Sequence, residues 1–207
     1  MTWRDAPATA ALALVTLIAS ALILLGGGMA DAAMQAGFVP ARVGAGLPGF
    51  AVPWALTPLT ATLIHGGWTH LIFNLVTLAF CGREAERAVG WDGMLAIYFT
   101  GACTAAAGQW LADPASTVPM IGASGAISAI IAAYSLLFGQ RQAKGWGPIS
   151  PRLAQSLWLA AGWIGVQLLI GATELGGQNV AIAAHIGGFL AGLALARPLL
   201  LWKWRGA

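Results

Sequence analysis

Residues 179–200 read NVAIAAHIGGFLAGLALARPLL. Arg197 is the only Lys, Arg, Asp or Glu in that run, and His185 sits among alanine, isoleucine and glycine. About 20 mainly apolar residues are enough for a helix to cross a hydrocarbon core. A run of this kind is either a membrane span or a wholly buried core helix, and composition separates the two. The chain is 58% hydrophobic and 8% charged over 207 residues, where a soluble domain carries roughly 25% charged residues. So few charges cannot cover a water-facing surface. The run is therefore a span, and it carries a titratable side chain into lipid.

Working outward, apolar runs of similar length recur. They predict spans at roughly 8–28, 59–81, 93–112, 119–138, 153–173 and 179–200. Six spans make an all-α polytopic membrane protein, and residues 1–207 read as one membrane domain with no separate soluble domain. The first run follows Arg4 and is joined by five more, so it is expected to stay as a helix rather than leave as a signal peptide. Between spans lie a longer first loop at 31–57 with Pro40, Pro48 and Pro53, a charged segment at 82–92, a short polar one at 113–118, and a Gly/Pro-rich one at 139–152. Cys81 and Cys103 are too few for a disulfide framework and read as small buried hydrophobes.

Orientation follows from lysine and arginine. With both termini cytoplasmic, nine of the ten basic residues fall inside and only Arg42 falls outside. That bias suits an even number of spans. The scattered basic residues, for a net charge of +3, do not suggest nucleic acid.

Ionisable groups in a span are costly and mark function. All seven acidic residues lie in loops or at span ends, whereas His65, His70 and His185 lie in or at the edge of spans. A carboxylate proton path or an aspartyl chemistry therefore lacks its acids. Helix rise places Ser124, His185, His70 and Asn74 within several ångströms of one depth, in the outer half of the membrane.

Ser124 stands in Gly122-Ala123-Ser124-Gly125 at a predicted helix start. Helix N-termini offer free N–H groups and a positive dipole end, both suited to an oxyanion. Small neighbours also make this a plausible packing motif, and Ser128 and Ser135, on about the same face, read as packing residues. His185 shares a helix face with Gly188 and Gly192, a surface on which another helix can pack closely. Packing on the fourth span would bring its imidazole to Ser124 as a base. Glu174 is the nearest acid in sequence and would need a folded-back loop, so the expected unit is a dyad rather than a triad. His70 and Asn74 are four apart on one face and both can donate to an oxyanion. His65 lies beyond Gly66-Gly67 and points away from His70 on a regular helix, which suits tying the first loop to the span better than completing a three-histidine metal site.

Taken together, His65-Gly66-Gly67-Trp68-Thr69-His70-Leu71-Ile72-Phe73-Asn74, Gly122-Ala123-Ser124-Gly125 and Ala184-His185-Ile186-Gly187-Gly188 through Gly192 resemble the HxxxxHxxxN, GxSG and AHxxGxxxG blocks of the rhomboid intramembrane proteases. The resemblance implies a six-helix bundle with Ser124 as nucleophile and His185 as base. His70, Asn74 and the Ser124 N–H would form the oxyanion hole. It implies transmembrane protein substrates and no metal or cofactor. The short termini and compact loops fit a bacterial inner membrane better than an organellar one, and the depth of Ser124 and His185 puts the opening of the site at the outer face. The charged turn Gly82-Arg83-Glu84-Ala85-Glu86-Arg87 also resembles the family's, with a structural role for Glu86. Two positions depart from the pattern. The first-loop Trp-Arg pair is replaced by Leu56-Thr57, with Trp54 two residues upstream, and glycines after GxSG are replaced by Ala129 and Ala132. The alternatives are a silent relative that binds membrane clients without cutting them, a transporter, and a metal-dependent hydrolase. Nothing in the sequence sets an oligomeric state.

Overall fold

The computed structural model describes residues 5–44, 52–138, 150–151, 154, 157–158, 160–165 and 182–206. Among them regular structure is helical, apart from one isolated antiparallel bridge between Phe38 and Met120. The helices are α1 (Pro7–Leu25), α2 (Met29–Ala36), α3 (Thr57–Thr60), α4 (Trp68–Thr77), α5 (Arg83–Ala112), α6 (Ser124–Phe138) and α7 (Ile182–Lys203).

α1 opens with proline in its first turn and ends at Gly26 and Gly27, the latter at φ 69°. Proline lacks an N–H that the first turn does not need, and glycine accepts the left-handed conformation that stops a helix. α1 and α7 are each long and apolar enough to cross a membrane. A third span results if the bent pair Trp54–Leu63 and Trp68–Ala112 counts as one, while α6 is a shorter apolar helix. Most of the predicted span at 153–173 lies outside the described residues.

Three predicted boundaries change. Span two is not one helix from residue 59. α3 and a 3-10 turn at Ala61–Leu63 precede extended backbone at Ile64, and the regular helix starts only at Trp68. Gly66 and Gly67 supply the weak point between the two pieces. The charged segment at 82–92 is not a loop. α4 runs through a π turn at Leu78–Gly82 into α5, and the only interruption is Gly90 at φ 85°. Glu84 and Arg87, three apart, bond across the helix surface at 2.8 Å and suit a helical turn. Span four becomes helical only at Ser124, because Gly122 at φ 103° breaks the chain just before it.

α5, α6 and α7 form the centre of the bundle, with α1 against α5 and α4. Their contact surfaces are small. An added Cβ on Gly101 would stand 2.6 Å from Ala129 Cβ, and one on Gly108 would stand 2.5 Å from the Ala183 carbonyl oxygen. Lipid provides no hydrophobic drive between helices, so close backbone approach through such residues supplies the packing. Some large apolar side chains fill the core, among them Met94, Ile97, Ile127 and Ile130, and others face outward, among them Leu22, Val76, Phe80 and Leu190.

Candidate active site

Ser124 is the first residue of α6, directly after Ala123 and the positive-φ turn at Gly122. His185 lies in the first turn of α7. Both are buried, and His185 Nε2 lies 2.8 Å from Ser124 Oγ. The approach is set by glycine. A Cβ on Gly188 would lie 2.0 Å from the Gly125 carbonyl oxygen, and one on Gly192 would lie 1.9 Å from that of Ala129. Backbone meets backbone at both points, and the imidazole reaches the serine as a result. His185 Nδ1 is buried with no hydrogen-bond partner among the described residues. Glu174 lies outside them.

His70 comes to the same place from α4. Its Nδ1 accepts the Gly66 N–H at 3.4 Å, which assigns the ring proton to Nε2. That nitrogen faces the bare Cα of Gly122: a Cβ there would be 2.8 Å from His70 Nε2 and 3.8 Å from Ser124 Oγ. Gly122 is thus required twice, for its backbone angle and for the ring beside it. Asn74 is buried one turn along α4, with its Nδ2 donating to the His70 carbonyl at 2.8 Å. One amide hydrogen is spent on its own helix and one is left. The Ser124 N–H belongs to a first helical turn and has no helical acceptor.

His65 is engaged at both ring nitrogens. Ser20 Oγ donates to the Leu63 carbonyl at 2.8 Å, so it accepts from His65 Nδ1 at 2.8 Å. His65 Nε2 then accepts the Ala123 N–H at 3.4 Å. One side chain thereby connects α1 to the residue preceding Ser124. Its ring meets that of His70 edge-on at 4.9 Å. Among the described residues no three His, Cys, Asp or Glu side chains converge as metal ligands would.

The segment leading into Ser124 is held from both sides. Phe38 and Met120 exchange backbone hydrogen bonds at 3.0 and 2.8 Å, and Ala41 N–H donates to the Ser116 carbonyl at 3.0 Å. On the other side Gly122 N–H donates to Ala61 at 2.9 Å. The first loop has an arginine anchor away from the Leu56-Thr57 positions: Arg42, buried, donates to the Val52 carbonyl at 2.7 Å. Its burial lowers its pKa from the ordinary arginine value by desolvation. Glu86 is also buried and accepts the N–H groups of Ala8 and Thr9 at 2.9 and 2.7 Å and the Thr9 hydroxyl at 2.6 Å, closing the open start of α1.

Sequence reasoning missed one contact nearest the nucleophile. Ser128 does more than pack: its hydroxyl donates to the Ser124 carbonyl at 2.8 Å and accepts the indole N–H of buried Trp163 at 2.9 Å. Its i+4 spacing from Ser124 was a usable signal for the first bond. Nothing in the sequence pointed to the second.

Residues 53–202 match the Rhomboid domain family. The chain is 29% identical over 136 residues to "Rhomboid protease GlpG" of Pectobacterium atrosepticum, covering 65% of this chain and 45% of that protein. It is 30% identical over 148 residues to "Rhomboid protease GlpG" of Photorhabdus laumondii, covering 71% and 47%. With "Putative rhomboid protease YdcA" of Bacillus subtilis it shares 32% over 81 residues, 39% of each chain. The matched regions span less than half the length of these relatives. A helical bundle of close-packed apolar helices, with a family match over most of its length, places this integral membrane protein in the rhomboid family.

Proposed function

We propose that the protein is an intramembrane serine endopeptidase that cleaves transmembrane segments of other membrane proteins, with Ser124 as nucleophile and His185 as base. The observation that carries this reading is the 2.8 Å approach of His185 Nε2 to Ser124 Oγ inside an apolar bundle. In the proposed cycle neutral His185 takes the Ser124 hydroxyl proton while Oγ attacks a peptide carbonyl carbon. The tetrahedral oxyanion is met by the Ser124 N–H, His70 Nε2–H and the remaining Asn74 amide hydrogen. The C–N bond then breaks, and His185 returns its proton to the leaving amine. Water, deprotonated by His185, hydrolyses the acyl ester and restores Ser124. Preorganised donors of this kind are each worth about 10²–10³ in kcat. With the Nδ1 side lacking a carboxylate among the described residues, the proposed unit is a dyad. No cofactor takes part.

The same reading includes six spans in one membrane domain, both termini cytoplasmic, and a site opening to the outer face. His65, Gly188, Gly192 and Glu86 have structural roles in it. Labelling full-length protein with a fluorophosphonate tests it. Wild type should label, and Ser124→Ala should not. His185→Ala should label at least about 10²-fold more slowly, the low end for a general base. Labelling that persists in Ser124→Ala removes Ser124 as the nucleophile. Wild type that neither labels nor cuts a transmembrane substrate is instead a client-binding relative.

A further inference from the structure

Lys203 lies eighteen residues beyond His185 on α7, about 27 Å at the helical rise. That is close to a full hydrocarbon thickness, so this end of the bundle lies at the membrane face opposite Ser124. A cavity of about 560 Å³ opens there between the start of α1, the first part of α5 and the end of α7. Trp91 and Trp202, 62% and 46% exposed, line it. Exposed indoles at a span end settle at the headgroup level, so the cavity rim lies among lipid headgroups.

The lining carries charge of both signs, and part of it is already used. Glu86 is taken by the α1 N-terminus. Asp5 pairs with Arg87, which also pairs with Glu84. Three groups are left. Lys203 Nζ gives one hydrogen to the Arg87 carbonyl at 2.7 Å and keeps two. Arg205 lies 4.8 Å above the Trp202 ring and makes no hydrogen bond or ion pair among the described residues. Asp92 likewise has no ion pair among them. It nevertheless stands near Lys203: a Cβ on Gly90 would be 2.7 Å from Asp92 Oδ1 and 3.5 Å from Lys203 Cδ. Gly90, at φ 85°, presents a bare Cα to both side chains.

Two unspent cations and one unspent carboxylate, walled by indoles at headgroup depth, fit a ligand with an anionic and a cationic end. We propose that this cavity binds the headgroup of a zwitterionic aminophospholipid. The phosphate oxygens accept from Arg205 and Lys203, and the primary ammonium donates to Asp92. A headgroup with only negative charge leaves Asp92 unmatched and repelled. A quaternary ammonium has no N–H to donate to it.

The test uses full-length protein in phosphatidylcholine nanodiscs doped equally with phosphatidylethanolamine or phosphatidylglycerol, with retained lipid read by native mass spectrometry. Phosphatidylethanolamine should be retained about tenfold over phosphatidylcholine, a factor that one charge-assisted contact supplies. Asp92→Asn should erase that preference without weakening phosphatidylglycerol retention. Arg205→Gln, an exposed change, should weaken both, with an unchanged melting temperature verifying the fold. Equal retention of all three lipids overturns the proposal. So does a phosphatidylglycerol preference that ignores Asp92→Asn, or displacement by tailless phosphoethanolamine at the lipid's own concentration.

Discussion

Removing the Ser128 hydroxyl and removing the Trp163 indole N–H break the same bond with unequal consequences. Ser128→Ala leaves the buried Trp163 N–H without an acceptor, which costs about 1–3 kcal/mol. Trp163→Phe leaves Ser128 still bonded to the Ser124 carbonyl, so what it loses is one neutral hydrogen bond of about 1 kcal/mol plus some packing. Unfolding in detergent should rank Ser128→Ala as the more destabilised, and the double mutant should cost less than the sum of the two. The pair also illustrates what a sequence conceals. Ser124 and His185 were legible together rather than singly, because GxSG and a histidine beside spaced glycines fall at one depth in separate spans, with His70 and Asn74 in the same layer. The Trp163–Ser128 bond joins residues 35 apart. A tryptophan in an apolar run looks the same whether its N–H is bonded or faces a headgroup. Arg42 was hidden for a similar reason: its bond to Val52 is set by the path of the first loop, which local sequence does not determine.

Helix positions were legible from hydropathy, and so was the helix start at Ser124, whereas span two was drawn as one helix from residue 59. The start of α6 at Ser124 and the late start of α4 at Trp68 are fixed by tertiary contacts of the preceding backbone, to Ala61 and to the first loop. Glycines within helices separate into two kinds that composition cannot tell apart. Gly192→Ala would put a methyl group 1.9 Å from the Ala129 carbonyl oxygen, so α7 must move away from α6. Overpacking of this sort costs about 1–3 kcal/mol. Because His185 rides on the same helix, phosphonate labelling should fall at least about tenfold, the loss expected when under half an ångström of dyad geometry is given up. Gly162→Ala is the matched control, since nothing lies within 4 Å of the added Cβ. That substitution should leave labelling unchanged and raise stability by up to about 1 kcal/mol through helix propensity.

At the scale of the molecule, the bundle is closed at its two ends by different chemistry. Near Ser124 the ties are made by backbone amides, hydroxyls and histidines, with the Arg42 guanidinium donating to a backbone carbonyl in the first loop. At the other end the tie is a buried carboxylate, Glu86, receiving three donors from α1. Glu86→Gln turns one acceptor into a donor facing N–H groups and should cost about 3 kcal/mol, the range for hydrogen bonds to a charged group. Asp5→Asn, which weakens the partly exposed ion pair with Arg87, should cost under about 1 kcal/mol and vanish in high salt. Melting curves at two salt concentrations distinguish these outcomes. Glu86 stood out in the sequence only through its setting in a charged turn, since seventy-seven residues separate it from Thr9.

Between Glu86 and His70 the chain is one uninterrupted helical rod, and the wide turn at Leu78–Gly82 is set into it. A π turn holds one residue more than an α turn needs, so it is slack in an otherwise rigid gauge. Deleting one residue inside Leu78–Gly82 would let the rod close into regular α-helix while both ends keep their facing. Deleting one between Leu71 and Thr77 would instead swing His70 by about 100° away from its place. The fold therefore tolerates a change of length at one point along this rod and nowhere else on it, a tolerance that single-residue deletion scanning would map.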